Sequence, residues 1–216
     1  MEIRHDTCLK TWKAALKYVL EHGKDYVDNA GRTCKEAINL NLIITSPHGD
    51  LSRLIDEMNS FEKWVYPSQE EIINIVFAKR KSEAYHYTLG SRIFNFSNVK
   101  NQIRDYIIPL LTSDPQSRRA IVMVYDPVED SVVLNRETPG LVYVHFKVVA
   151  DRLVITASIR SNDLFVGWPT NLLQVGKLQE HVAEALDIPA GAITTFSNSA
   201  HIFKEHAEQI KAVLSR

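Results

Sequence analysis

Two adjacent arginines, Arg118 and Arg119, stand between the turn-prone run SDPQS and the apolar run AIVMVY. Guanidinium groups are planar donor forks that suit bidentate contact with phosphate; the alternative is a solvated or salt-bridged surface pair. A third arginine, Arg160, ends the run RLVITASIR and is followed by Ser161, Asn162 and Asp163. One strand end thus delivers guanidinium, hydroxyl, amide and carboxylate in succession. Taken together, these groups suggest a phosphorylated ligand. The rigid stretch LFVGWPT leads to Asn171 in the first turn of a helix, where its amide either faces a polar heterocycle with one donor and one acceptor or serves as a cap. His201 and His206 are candidates for acid–base work, but HIFKEH has neither the zincin order nor a CxxC partner, so no metal site is expected. His145 reads as a structural imidazole within a strand. Cys34 follows Arg32 closely, and a guanidinium neighbour can lower a thiol pKa; a quiet free cysteine is the alternative. The sequence contains no GxGxxG, no GxxxxGK[ST] and no GxSxG, which disfavours a Rossmann site, a P-loop and a serine-hydrolase elbow.

The elements that must position these groups follow from periodicity. Leu9, Trp12, Ala15, Leu16, Val19 and Leu20 fall at three- and four-residue steps and predict a helix closed by Gly23. Ile38, Leu40, Leu42 and Ile44 alternate as in a strand. Shorter helices are predicted near Leu51–Met58 and near Gln69–Lys79, with Asn59–Pro67 ambiguous between them. Val99, Ile103, Tyr106, Ile107, Leu110 and Leu111 predict another helix, and AIVMVY a buried strand. LVYVHFKVV and RLVITASIR, joined by Ala150–Asp151, have the spacing of an antiparallel hairpin. A long helix from about Thr170 to Leu186, a strand at AITTFSN and a short helix from about Lys204 complete the chain. No repeat, linker or low-complexity tract interrupts it. The expectation is one α+β domain over residues 1–216.

Composition narrows the class further. Lys plus Arg number 25 against 26 Asp plus Glu, a formal charge of −1, so no global basic field draws the chain onto nucleic acid or anionic membrane. Two cysteines cannot make a disulfide framework. The start MEIRHDTCLK lacks the apolar run of a signal peptide, and no stretch is long and apolar enough to span a bilayer. A cytoplasmic setting is expected.

In order, DPQSRRAIV, ETPGLVYVHFKV, RSNDLFVGWPTN and SNSAHIF make the chain resemble thymidylate synthase and its nucleotide hydroxymethylase relatives, over roughly Tyr87 to His206 and most closely the compact archaeal- or phage-like members. The resemblance implies an α+β fold with a mixed or antiparallel sheet packed with helices, and a homodimer formed through that sheet. It implies a pyrimidine nucleoside monophosphate as substrate and methylenetetrahydrofolate, or a related pterin, as one-carbon donor, with no metal. Arg118 and Arg119 would reach the partner subunit's nucleotide phosphate, joined by Arg160 and Ser161 of the same subunit. Asn171 would bind a uracil-type ring, His201 the ribose hydroxyl and Asp163 the folate, with Arg32 a weaker candidate for a phosphate arginine.

The same comparison exposes departures. The family's nucleophilic cysteine follows a proline, and here that pair is Pro139–Gly140. Glycine cannot add to C6 of a pyrimidine, and losing a covalent nucleophile costs orders of magnitude in rate. Phe203 replaces the tyrosine of the family's His-x-Tyr, Leu89 the tyrosine of its Tyr-Gly, and His145 a glutamine. The general-base glutamate is Glu57, Glu70 or Glu71, none of which stands in a recognisable motif. Three readings follow: one-carbon transfer to pyrimidine C5, methylating or hydroxymethylating, with Gly140 in place of a native cysteine; natural chemistry independent of cysteine; or a non-catalytic nucleotide-binding homodimer.

Overall fold

The computed structural model describes residues 1–28, 30–61, 65–79, 87–133 and 138–216. Asn29 and Glu137, part of the runs NAGRT and ETPG, lie outside them. In chain order the elements are β1 (Glu2–His5), α1 (Cys8–His22), β2 (Lys24–Val27), β3 (Thr33–Ile44), α2 (Arg53–Asn59), α3 (Gln69–Phe77) and α4 (Leu89–Phe94). Then come α5 (Ile108–Ser113), β4 (Ile121–Met123), α6 (Pro127–Asp130), β5 (Leu141–Val149), β6 (Arg152–Asp163), α7 (Gly167–Ala185), β7 (Ala190–Phe203) and α8 (Ala207–Ser215).

The described strands form one seven-stranded sheet in the order β1-β3-β7-β6-β5-β4, with β2 paired to β3. β6 and β7 run parallel, as do β1 and β3, and the remaining pairs are antiparallel. Helices pack on the face bearing Leu40, Leu42, Ile44, Phe146, Ile155, Ala157 and Ile193, all buried. Trp12, Leu16 and Val19 of α1 and Leu172, Val175 and Leu178 of α7 complete that core, each large apolar side chain contributing about 1.5–3 kcal/mol through burial. On the other face, Asn41, Ile43, Tyr143, His145, Thr156, Thr194 and Phe196 are only half-buried.

Local chemistry explains most element boundaries. Thr7 caps α1 by accepting the amide of Lys10, and Gly23 closes it. Ser68 and Glu71 form a reciprocal capping box at the start of α3. The β5–β6 hairpin turns at Ala150 and Asp151, which take φ values of 48° and 56°, the twist-matched conformation of a two-residue turn.

Several sequence expectations are corrected. AIVMVY is a three-residue edge strand whose Ile121 and Met123 are 39% and 37% exposed; only Val122 of β4 is buried. Its apolar run satisfies one face of the sheet and leaves the other open. Val99 is 86% exposed in a turn, and the helix it was expected to begin starts with a π-helical turn at Ile103–Ile107. α7 begins at Gly167, three residues before Thr170, because Pro169 is tolerated in a first turn. The strand at AITTFSN continues to Phe203, and the last helix starts only at Ala207.

Candidate active site

Topology gathers the site. β7 lies parallel to β6, β3 runs antiparallel to β7 and β5 antiparallel to β6. The carboxyl ends of β6 and β7 therefore meet the start of β3 and the start of β5 at one edge of the sheet. Register places Glu36 of β3 beside His201 of β7, and His201 beside Asp163 of β6.

Two cavities open at this edge. One, of about 730 Å³, is lined by Arg32, Cys34, Glu36, Arg160, Ser161 and His201 among others. The second, of about 480 Å³, has apolar walls from Ile72, Ile75, Leu89, Val124 and Leu141, with Tyr87, Gly140, Thr170, Asn171 and Gln174 supplying polar groups. Thr138 lines both. Between them, Arg160 donates from Nε to the carbonyl of Pro139 at 2.9 Å and from Nη2 to that of Thr138 at 2.6 Å. These bonds leave other guanidinium N–H groups for a ligand. The structure thus brings Arg32, Arg160, Ser161 and His201 together, and Gly140 with Asn171.

Charge in the larger cavity is nearly balanced within the chain. Arg32 is held by Asp28 at 3.0 Å and lies over the ring of Phe203 at 3.8 Å from its centroid. Arg32 and Arg160 therefore face Asp28 and Glu36. Glu36 also accepts the hydroxyl of Ser199. Burial pushes the His201 imidazole below its ordinary pKa, against the pull of Asp163 and Glu36, which favour its protonated form. Its ring meets Phe203 edge-on, with centroids 5.1 Å apart.

Neither thiol is activated. Burial raises the Cys34 pKa, and the nearby carboxylates of Glu36 and Asp28 outweigh Arg32, so the guanidinium does not make this cysteine reactive. Cys8 is buried with its Sγ 3.3 Å from the carbonyl of Pro47, and its pKa is raised by burial first and by Asp50 next.

Gly140 is built into the strand pairing. Its carbonyl accepts the amide of Arg160 at 2.8 Å. A Cβ there would stand 2.9 Å from the carbonyl oxygen of Ser161, closer than side chains tolerate, so a cysteine requires the β5–β6 start to shift. Tyr87 lines the smaller cavity beside Gly140, and the Gly140 backbone favours its ionised form against the larger effect of burial, which raises the phenol pKa. The hydroxyl that Leu89 lacks is returned to the same cavity by Tyr87, two residues earlier. Gly90 is fixed by close approach, since a Cβ would strike the carbonyls of Ala78 and Val76 at the end of α3.

Other predicted residues fall outside both cavities. Asp163 spends Oδ1 on the amides of Phe165 and Val166, at 2.9 and 3.1 Å, fixing the loop that enters α7. Tyr66 fastens the same entry: its hydroxyl donates to the carbonyl of Val166 and meets the Thr170 hydroxyl, and burial raises its pKa to about 12. Arg118 and Arg119 are exposed just before β4, with no carboxylate among the described residues within ion-pair distance. Of the glutamates, Glu57 pairs with Arg216 at 2.6 Å, Glu71 caps α3 and Glu70 is exposed. Gln174 was missed, although its place one helical turn beyond Asn171 puts both amides on one face. Glu36 was missed because only the β3–β7 register brings it to His201.

Among the described residues no helix is long and apolar enough to cross a membrane, and no group of three or more His, Cys, Asp or Glu is placed to hold a metal. The fold and site define an α+β protein with a guanidinium-lined cavity joined to an apolar one at a single sheet edge. The thymidylate synthase family model matches residues 58–216, and the chain belongs to that family. It is similar to archaeal proteins provisionally named thymidylate synthase. That of Methanosarcina barkeri is 30% identical over 98% of this chain and 94% of its own. That of Methanococcoides burtonii is 29% identical over the same shares. "Thymidylate synthase 1" of Bacillus spizizenii is 30% identical over 62% of this chain and 47% of its own. The family supports one-carbon transfer to pyrimidine C5 as the broad chemistry.

Proposed function

We propose that the chain binds a uracil-type nucleoside monophosphate across the two cavities and acts in C5 one-carbon transfer, methylating or hydroxymethylating, without a cysteine adduct. The observation that carries this reading is Arg160. It is tied to the Thr138 and Pro139 carbonyls, so its guanidinium stands at the junction of the two cavities. In this reading the phosphate lies against Arg160, Ser161 and Arg32, the ribose against His201, and the base against Asn171. A neutral imidazole at His201 offers both a donor and an acceptor to a ribose hydroxyl.

The apolar walls of the smaller cavity suit a planar bicyclic pterin in chemistry and in size. The residues present fit methylenetetrahydrofolate: Leu89, Ile72, Ile75 and Val124 would hold the ring, while Asp163, outside that cavity, fixes the loop that enters α7. When bound, the folate supplies the one-carbon unit. The chain's own residues orient the nucleotide and exclude water from its reactive edge. The tight approach of a Cβ at position 140 to Ser161 favours a native glycine over a replaced cysteine.

A homodimer formed through the open sheet face completes the site in this reading. A phosphate dianion needs more positive charge than Arg32 and Arg160 retain beside Asp28 and Glu36. Arg118 and Arg119, exposed at the edge strand, supply it to a partner subunit. The half-buried Ile43, Tyr143 and Phe196 and the Nε2 of His145, unpartnered among the described residues, suit contact with a second copy on that face.

Glycine at position 140, with the two cysteines at positions 8 and 34 instead, also favours a second reading, a non-catalytic nucleotide-binding homodimer. Calorimetric titration with dUMP, dCMP, UMP and CMP, followed by assay for C5-substituted product with methylenetetrahydrofolate, separates them. Nucleotide binding with folate-dependent product supports the enzyme. Binding without product leaves the non-catalytic reading, and no binding refutes both.

A further inference from the structure

The Tyr87 ring packs against a buried cation. It lies beneath the guanidinium of Arg92, 5.7 Å from the centroid, and the residue lines the smaller cavity beside Gly140. Arg92 is itself immobilised: it is 3% exposed and pairs with Asp130 at 2.7 Å, Glu129 at 3.4 Å and Asp126 at 3.6 Å. Tyr87 lines the smaller cavity together with Asn171 and with Gly140, the position at which the resemblance places the family's nucleophilic cysteine.

The geometry points to Tyr87 as a ligand-contacting residue, whose O–H donates to the C4 carbonyl of a bound uracil-type base and holds noncovalently the ring edge that relatives hold through a thioether. This assignment rests on the function proposed above and extends it to the group that replaces the nucleophile. A phenol carries one proton and two lone pairs. The Gly140 backbone favours the phenolate, as an N–H facing the oxygen does, and such a neighbour leaves the phenol proton for an acceptor in the cavity. The C4 carbonyl is the uracil acceptor adjoining the reactive C5–C6 edge, and its second lone pair remains available to the Asn171 amide. Burial raises the phenol pKa, so the group is a donor across the neutral range.

The assignment predicts selectivity for a carbonyl over a weaker acceptor at C4. The test is calorimetric titration of the full chain and of Tyr87→Phe with dUMP and with 4-thio-dUMP, whose sulfur accepts hydrogen bonds poorly. Phenylalanine keeps the ring beneath Arg92 and preserves the packing. The expected result is roughly ten-fold weaker dUMP binding by Tyr87→Phe, roughly ten-fold discrimination against 4-thio-dUMP by the unaltered chain, and a much smaller discrimination by the variant. Equal dUMP affinity in both proteins, or equal discrimination in both, overturns the assignment while leaving the nucleotide reading intact. Failure of the unaltered chain to bind dUMP overturns both.

Discussion

Arg160 donates its Nε hydrogen to the carbonyl of Pro139 at 2.9 Å, which fastens a strand-end guanidinium to the residue immediately before Gly140. In the proposed reading, phosphate recognition and the shape of the base cavity are therefore mechanically linked. Arg160→Lys replaces the planar fork, whose Nε and Nη2 reach two carbonyls at once, by donors on a single nitrogen that do not reproduce that geometry. Nucleotide affinity is expected to fall at least ten-fold in a calorimetric titration, with a smaller change in the thermal midpoint.

Gly140→Cys sets a side chain against the Ser161 carbonyl. The expected cost is about 1–3 kcal/mol of unfolding free energy, the range for forcing extra atoms into packed structure. Urea denaturation measures it. An unchanged midpoint contradicts a strand pairing adapted to glycine.

The buried cluster around Arg92 predicts a larger effect. Removing its guanidinium strands Asp126 and Asp130, which are 5% and 3% exposed, and breaking such a pair from one side costs about 3–5 kcal/mol. Arg92→Met keeps much of the volume, so urea unfolding of this variant isolates the lost charge.

His201 predicts a pH dependence with a definite sign. Its folded-state pKa lies below the ordinary value of 6.5 because of burial. The unfolded chain therefore binds a proton first as pH falls. The stability associated with the neutral imidazole is fully present above pH 6.5 and is lost as pH drops through the folded pKa. The urea-midpoint difference between the unaltered chain and His201→Asn should shift in the variant's favour between neutral and mildly acidic pH. A constant difference contradicts the burial of this ring.

The open sheet face and the exposed arginines predict subunit complementation. Phe196→Arg is expected to yield monomers by sedimentation equilibrium and to weaken nucleotide binding. The double variant Arg118→Ala, Arg119→Ala and the variant Arg160→Ala should each bind poorly. Mixed, they form heterodimers with one intact site, and part of the binding returns. No recovery contradicts sharing of the site.

Much of this architecture was legible because local pattern and tertiary environment agree. The spacing from Leu9 to Leu20 marks α1, and Ala150–Asp151 between two β-branched runs marks the β5–β6 hairpin. β1 and β2 escaped notice because each is four residues long and mostly polar or exposed, held by pairing to β3 rather than by a pattern of its own. AIVMVY misled because an apolar run does not say whether one or both faces are covered. In the site, Arg160, Ser161 and Asn171 were visible since a short segment carries them all. Glu36 beside His201 depends on register between strands far apart in sequence. Tyr87 beside Gly140 depends on how α4 approaches the sheet, so neither pair leaves a trace in residue spacing.

The central claim is that the paired cavities form a nucleotide site, and a calorimetric titration of the unaltered chain with dUMP tests it most directly. Saturable binding at one site per chain, weakened at least ten-fold by Arg160→Ala, is the predicted result. No measurable binding, or binding indifferent to that substitution, contradicts it.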